Sequence, residues 1–438
     1  MGKSEFLLLF LFLFLIVAFR QFPKHTFRIF SWFGTPIVKA YLRRRVKRGV
    51  EDGSRVCERF GIPSVRRPMG KLIWIHAVSV GEMLSIIPIV RLLKKKQPEL
   101  TILLTTTTLT SAKEAKCRFG NSVIHQFMPF DVFSWARRFV EYWRPSCAIF
   151  VESDLWPNML YLLRDKKITA YLLNARFSRR SLKRMCLLKK SLGILPFSTF
   201  EKVYAPSIET AENTKKLGAR AVCVLPNLKI IAEKLPVNQV NLEHLKKQII
   251  GRKTWMAVST HPGEEEIILE AHEKLKRLFP NILTILAIRH PARLVDVQGL
   301  CEKRGLTQVS SSTATDAQGT ISADVYILDK IGCLGEFFSA VDTVLVGGSL
   351  VPGIGGHNFL EPLNFGCNVA VGEYIDNFRD VYPHFATYCK VVRTPNEICE
   401  FVAASPHRLE IDAISSVRNT ALTQWNNAVD EMVRSFGG

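Results

Sequence analysis

Apolar and polar positions follow three regimes along the chain. The first is Phe6–Phe19, an unbroken apolar run of fourteen residues. It is short for a spanning helix and close in length to a signal-peptide core. No small-residue cleavage site comes after it. The chain continues instead with an aromatic and basic belt (Phe22, Lys24, Phe27, Arg28, Phe30, Trp32, Phe33) and then the run Arg43-Arg44-Arg45-Val46-Lys47-Arg48. From Lys71 the pattern changes to short apolar runs alternating with amphipathic segments. Leu72–Ala77 reads as a buried strand and Val78–Glu82 as a turn. Met83–Lys96 reads as one helix with Ile86, Ile87, Val90 and Leu93 on one face, Pro88 being tolerated in its early turns. Further strands are expected at Thr101–Thr106, Val123–Met128, Cys147–Val151, Thr169–Leu173, Val203–Ala205 and Ala221–Leu225, with helices such as Phe133–Trp143 and Ser181–Leu192 between them.

Around Asn227–Lys253 the pattern becomes charged and irregular, as in a linker. A second alternating series begins beyond it: strand Thr254–Ser259, helix Glu265–Phe279, strand Ile282–Ile288, helix Leu294–Arg304. After a polar loop at Ser310–Thr320 come strand Asp324–Leu328, helix Gly335–Ala340, and strands Thr343–Val346 and Asn368–Val371. Pro395–Ser435 is mostly helical in pattern. Alternation of this kind implies parallel sheets covered on both faces, with ligands at the carboxyl ends of the strands. At 438 residues the chain exceeds one core, so two α/β domains are expected. The divisions expected are a membrane anchor and basic segment over 1–50, one domain over 51–228 and a second over 229–438.

Composition changes the picture in two respects. Lys and Arg total 59 against 39 Asp and Glu, a formal net charge of +20, which suits nucleic acid, an anionic membrane surface or phosphorylated substrates. The basic excess after the apolar run, against Lys3 before it, places the body of the protein on the cytoplasmic side of an uncleaved anchor. The ten cysteines form no CxxC pair and no disulfide framework, which fits a reducing compartment.

Candidate chemistry sits at the expected strand ends. Gly347–Pro362, GGSLVPGIGGHNFLEP, is a glycine-rich strand-to-helix turn that could aim N–H groups at an anion or serve as a tight structural turn. Glu82 is either a proton acceptor or a first-turn carboxylate complementing a helix dipole. Glu152-Ser153-Asp154-Leu155-Trp156-Pro157-Asn158 offers two acids beside an aromatic, or a helix cap. Asn174–Ser181 carries Arg176, Arg179 and Arg180, suited to phosphate or carboxylate, or to a solvated helix start. Arg289-His290-Pro291-Ala292-Arg293 adds cations at another strand end. His261, His290 and His357 invite a zinc site, but there is no HExxH. The absence of GxxxxGK[ST], and of GxGxxG after the first strand, disfavours a P-loop NTPase and a nicotinamide enzyme.

The order of these motifs resembles the 3-deoxy-D-manno-octulosonic acid (Kdo) transferases of lipopolysaccharide synthesis, over nearly the whole chain. The likeness lies in SVGE at Ser79–Glu82, ESDLWPN at Glu152–Asn158, NARFSRRS at Asn174–Ser181 and STHPGEEE at Ser259–Glu266. RHPAR at Arg289–Arg293, LGE at Leu334–Glu336 and GGSL…GGHNFLE at Gly347–Glu361 complete it. The resemblance implies a GT-B fold, two Rossmann-like domains facing across a cleft. It implies an inverting transfer of Kdo, without metal or other cofactor, from CMP-Kdo to the lipid A precursor, with members differing in how many Kdo residues they add. By that likeness Glu82 is the general base, and Glu152 and Lys229 stabilise the transition state. Ile288, Arg289, Leu334, Gly335, Glu336, Asn358, Phe359, Leu360 and Glu361 hold CMP. The partners implied are CMP-Kdo, the lipid A precursor and the anionic surface of a bacterial inner membrane, with no nucleic acid. The chain departs from the pattern at Pro352-Gly353-Ile354 between the two Gly-Gly pairs, at Pro262 after the His, and at Phe359, where Pro is frequent. Competing readings are a GT-B transferase using another nucleotide sugar and a non-catalytic, membrane-tethered nucleotide-binding protein.

Overall fold

A computed structural model describes residues 23–152, 156–192, 195–313, 321–405 and 408–437. The apolar run Phe6–Phe19, on which the anchor reading rests, lies outside them. Among the described residues no helix is long and apolar enough to cross a membrane. The basic segment enters at the end of a helix spanning Pro23–Lys47. One of its cations is committed to the fold: Glu51 takes Arg45 at 3.0 Å and the buried Arg59 at 2.9 Å.

The chain divides into two compact units. One takes in residues up to Glu233 together with Ala421–Gly438, and the other spans Lys234–Thr420. In the first, strands β1 (Leu72–His76), β2 (Thr101–Thr106), β3 (Ile124–Phe127), β4 (Cys147–Val151), β5 (Thr169–Leu173), β6 (Lys202–Ala205) and β7 (Val222–Val224) form one sheet in the order β3-β2-β1-β4-β5-β6-β7. Every pair is parallel, for instance Leu72 opposite Thr101 and Ile73 opposite Cys147. β1 and β4 are buried along their whole length, as strands covered on both faces should be. Trp74 anchors the core, edge-on to Phe139 and Phe150 at centroid distances of 5.0 and 5.1 Å.

The second unit repeats the scheme. β8 (Thr254–Thr260), β9 (Leu283–Ile288), β10 (Gln308–Ser310), β11 (Val325–Leu328), β12 (Thr343–Val346), β13 (Asn368–Val371) and β14 (Cys389–Val391) form a parallel sheet in the order β10-β11-β9-β8-β12-β13-β14. Trp255, Ile268, Leu286 and Leu345 are among its fully buried core residues. Each sheet has a place where chain order reverses, between β1 and β4 and between β8 and β12. Crevices at such points are where open α/β sheets bind ligands.

Local differences from the sequence reading have identifiable causes. The helix expected over Met83–Lys96 is two helices, Val80–Ser85 and Ile87–Lys96, meeting at Ile86. Pro88 has no N–H for an i−4 bond, so it opens the second helix instead of continuing the first. The expected linker holds a 3-10 turn, Leu228–Ile231, and a helix, Gln239–Gln248. The second domain, read as 229–438, gives up its end: residues from Ala421 group with the first unit. There Trp425, 1 % exposed, donates its indole N–H to Pro226 O at 2.8 Å. Lys202 binds Glu431 at 2.7 Å, and Tyr171 and Ser435 share a hydrogen bond of 2.7 Å.

Candidate active site

The first unit's crevice is built on the ends of β1 and β4, which are neighbours in the sheet. After β1 the chain turns at Ser79, whose hydroxyl caps the helix Val80–Ser85 by accepting the Glu82 N–H at 3.3 Å. Glu82 reaches back, accepting the Val78 N–H at 2.8 Å and the Ser79 hydroxyl at 3.2 Å. This is a variant of the capping box, the returning carboxylate taking the N–H of the residue before the N-cap together with the N-cap hydroxyl. The cap and a proton-accepting role do not exclude each other, because the cap fixes the half-buried carboxylate at the strand end.

Glu152 comes directly after β4 with φ = 60°, a left-handed conformation that is costly for a residue other than Gly, Asn or Asp. Its N–H is tied to Leu173 O at 2.9 Å, and its carboxylate lies 3.8 Å from Lys229 Nζ, both side chains mostly buried. Asn174, just past β5, is also left-handed at φ = 56°. Its Oδ1 accepts the Leu228 N–H at 3.2 Å and so braces the 3-10 turn that carries Lys229, while Asn227 accepts the Lys229 N–H at 2.9 Å. Three strand-end segments thus converge on one ion pair, and Asn174 is a supporting residue that the sequence did not single out. The only signal in the residues is the tolerance of Asn for the left-handed backbone it adopts.

The ESDLWPN motif divides. Ser153, Asp154 and Leu155 lie outside the described residues. Asn158 serves the fold, with the half-buried Asp131 accepting the Asn158 and Met159 N–H groups at 3.0 and 2.9 Å, at the start of the helix Pro157–Asp165. Burial pushes the Asp131 carboxyl up to about 6. Of the arginines expected at Asn174–Ser181, Arg176 is half-buried and Arg180 exposed, and the Arg179 side chain is outside the described ones.

In the second unit, the glycine-rich turn after β12 already holds an anion. Glu264, fully buried, accepts N–H groups from Gly348 at 2.7 Å, Ser349 at 3.0 Å, Leu350 at 2.8 Å and His261 at 3.0 Å. Four donors face it, the setting of a carboxylate. Burial pushes its pKa up, and the four bonds oppose that shift. Glycine at 347 is required by this approach, since a Cβ there would lie 2.9 Å from a Glu264 oxygen. The expectation that these N–H groups face a ligand is therefore revised at Gly348, Ser349 and Leu350: their acceptor belongs to the protein.

Side chains then carry the site's charge. Arg289 leaves β9 with its N–H on Thr260 O at 3.1 Å, and its side chain is exposed. Arg293 is neutralised by buried Glu265 at 2.7 Å. His261 and His357, from the turns after β8 and β12, meet Nε2 to Nε2 at 2.8 Å with their rings 6° from coplanar. His290 stands edge-on to His261 at 5.5 Å. Burial, then His290 and the arginines, lower the His261 pKa. Burial, then His261, Arg289 and His290, lower that of His357 to about 4. The residues alone offered these histidines as a zinc question, and His357 also as a polar group beside Asn358 and Glu361 or a satisfied histidine of a turn; the geometry makes His261 and His357 a hydrogen-bonded pair.

Asn358 donates to Glu361 at 3.0 Å, and burial raises the Glu361 pKa against the pull of Asn358 and Arg289. Arg289, Asn358 and Glu361 are thus neighbours. Phe359 is fully buried against Phe378, Tyr382 and Phe385 at 5.4, 6.0 and 6.3 Å, and Ile288 and Leu360 are buried too, so these three can offer only backbone to a ligand. Leu334, Gly335 and Glu336 open a helix after β11, the strand beside β9. Gly335 backs onto the Pro236 carbonyl. Glu336 accepts the Asn238 N–H at 3.1 Å through one oxygen, and its other oxygen is buried without a partner.

Residues 54–232 match the family described as 3-Deoxy-D-manno-octulosonic-acid transferase (kdotransferase). The 3-deoxy-D-manno-octulosonic acid transferase of Haemophilus influenzae is 34% identical over 336 residues, 75% of this chain and 77% of that one. Its Rickettsia bellii counterpart is 33% identical over 348 residues, 79% of this chain and 81% of that one. Among solved structures, a UDP-N-acetylglucosamine 2-epimerase superposes with a TM-score of 0.54 at 15% identity, covering 85% of this chain and 97% of that one. That likeness concerns the fold alone, two parallel-sheet α/β domains of the GT-B kind.

Proposed function

Because the chain belongs to the 3-deoxy-D-manno-octulosonic acid transferase family, and is therefore a glycosyltransferase, we propose that it moves Kdo from CMP-Kdo to a sugar hydroxyl of the lipid A precursor. The observation that carries the donor half is the cationic strand edge of the second unit. The nearby carboxylates Glu264 and Glu265 are taken up by backbone N–H groups and Arg293, while Arg289 stays exposed. In this reading Glu82 takes the acceptor's proton as its oxygen attacks the anomeric carbon. The bond from that carbon to the phosphate oxygen breaks, and CMP leaves with an added negative charge. Direct displacement by an alcohol needs one base, and the departing phosphate needs cations more than a proton donor. In this reading the Glu152–Lys229 ion pair of the first unit steadies the charge that develops in the transition state.

The same reading places the protein at the cytoplasmic face of a bacterial inner membrane, anchored through its N-terminal apolar run. A charge of +20 suits both an anionic membrane and a phosphorylated lipid acceptor. Donor identity is tested by calorimetric titration with CMP, UMP and UDP. CMP is expected to bind and the uridine nucleotides not to. Arg289→Ala is expected to weaken CMP binding by about 10–100-fold, the worth of a charge-assisted hydrogen bond, with an unchanged melting temperature. Equal binding of UMP would favour another nucleotide sugar, and unchanged CMP affinity in the variant would remove Arg289 from the site.

A further inference from the structure

Two imidazoles joined Nε2 to Nε2 at 2.8 Å must share one proton between those atoms. In the neutral pair one Nε2–H donates and the other Nε2 accepts, so the accepting ring carries its own proton on Nδ1. The pair can take up one more proton, on the free Nδ1 of the donating ring. It cannot hold two facing Nε2–H groups. Its surroundings decide whether that uptake occurs. From the turn after β8 come His261 itself, Glu264 bound by four N–H groups, and Glu265 paired with Arg293. The turn after β9 brings Arg289, His290 and Arg293, and the turn after β12 brings His357, with Asn358 bound to Glu361. Burial first, and then the positive groups around it, disfavour a second charge on the pair while the site is empty of anions.

The turn itself preserves this contact. Gly348 has φ = 68°, and a Cβ there would lie 2.6 Å from the His357 ring. Because the Gly348, Ser349 and Leu350 N–H groups are occupied by Glu264, an anion arriving here meets side chains instead of the backbone cradle. Arg289 and the histidines are side-chain donors that these three turns still offer.

Resting on the donor reading above, we propose that His261 and His357 bind the nucleotide's phosphate beside Arg289 as a one-proton pair, neutral in the free enzyme and taking up a solvent proton when the nucleotide binds. An anion placed there reverses the sign of the local field and favours the imidazolium. During transfer the phosphate passes from a singly charged diester to a more highly charged monoester, as the bond to the sugar carbon breaks and its electron pair stays on oxygen. The imidazolium meets that added charge without transferring its proton. The pair thus belongs to leaving-group binding, the opposite role to that of the base serving the acceptor.

The test is titration of the full chain with CMP at pH 7 in buffers of different ionisation enthalpy. The wild type is expected to take up roughly one proton per nucleotide bound. Ionisation of the phosphate itself, with a second pKa near 6, would run the other way, since binding the dianion sheds protons. His357→Gln and His261→Gln, each checked for an unchanged melting temperature, are expected to bind CMP more weakly and to lose the uptake. His290→Gln is expected to keep it. CMP binding without proton uptake in the wild type, or uptake that survives both pair variants, would overturn the inference and leave the donor reading standing. Failure of CMP to bind at all would overturn the donor reading, and the inference with it.

Discussion

Replacing Glu82 with Gln is expected to lower kcat for Kdo transfer by about 10²–10⁴-fold, the usual worth of a positioned general base. CMP affinity and the melting temperature are expected to stay near the wild-type values. The separation comes from the capping box. The two carboxylate oxygens take one donor each, the Val78 N–H and the Ser79 hydroxyl; in Gln the amide oxygen can keep the Val78 N–H, and the Ser79 hydroxyl can rotate to accept from the amide NH2. The loss of cap energy is therefore a fraction of the roughly 1 kcal/mol that a cap contributes. What Gln cannot do is accept a proton from an attacking hydroxyl. Steady-state kinetics alongside thermal melting separates the two roles. Near-normal turnover in a folded variant would reduce Glu82 to a helix cap and move the base elsewhere.

Replacing Glu264 with Ala is expected to give the largest stability change of any single substitution considered. The carboxylate is the acceptor for four backbone N–H groups drawn from the turns after β8 and β12. Removing it strands several buried donors at once, each costing about 1–3 kcal/mol. Water entering the vacated space would recover part of that, so a net loss of about 3–5 kcal/mol is expected. For a unit of this size that is a fall in melting temperature of roughly 6–20 °C. CMP binding should fall as well, because the same turns present His261 and His357. A change below about 1 kcal/mol, measured by denaturant titration, would mean that the turn keeps its shape without an internal anion.

Several parts of this arrangement were legible from the residues alone. The alternation of buried strands with amphipathic helices specified two parallel sheets, and full-length burial of β1 and β4 is why their runs are apolar throughout except at His76, which closes β1. Candidate residues fell at strand ends because that is where parallel α/β sheets expose their backbone. The hidden parts depend on contacts distant in sequence. Glu264 reads as one of three ordinary first-turn acids, and only the return of the chain at Gly348–Leu350 shows where it points. The left-handed backbone of Glu152 and Asn174 has no mark in residue type, apart from the tolerance of Asn for that conformation. Phe359 sits in a motif of polar neighbours, yet its ring joins the core because Phe378, Tyr382 and Phe385 arrive from later turns. The strands Gln308–Ser310 and Cys389–Val391 are three residues long, too short to show a period. Trp425 lies in an evenly amphipathic helix, and nothing local to it reveals that its indole binds the Pro226 carbonyl.

In the proposed reaction Kdo passes from CMP-Kdo to a lipid A precursor. Its most direct test is incubation of the purified full chain with both compounds in detergent, followed by mass spectrometry of the lipid. The expected result is an acceptor heavier by one or more Kdo residues, with one CMP released for each, and no such product from the Glu82→Gln protein under the same conditions. An acceptor of unchanged mass with CMP-Kdo, in a preparation that transfers sugar from a UDP-sugar donor, would contradict it.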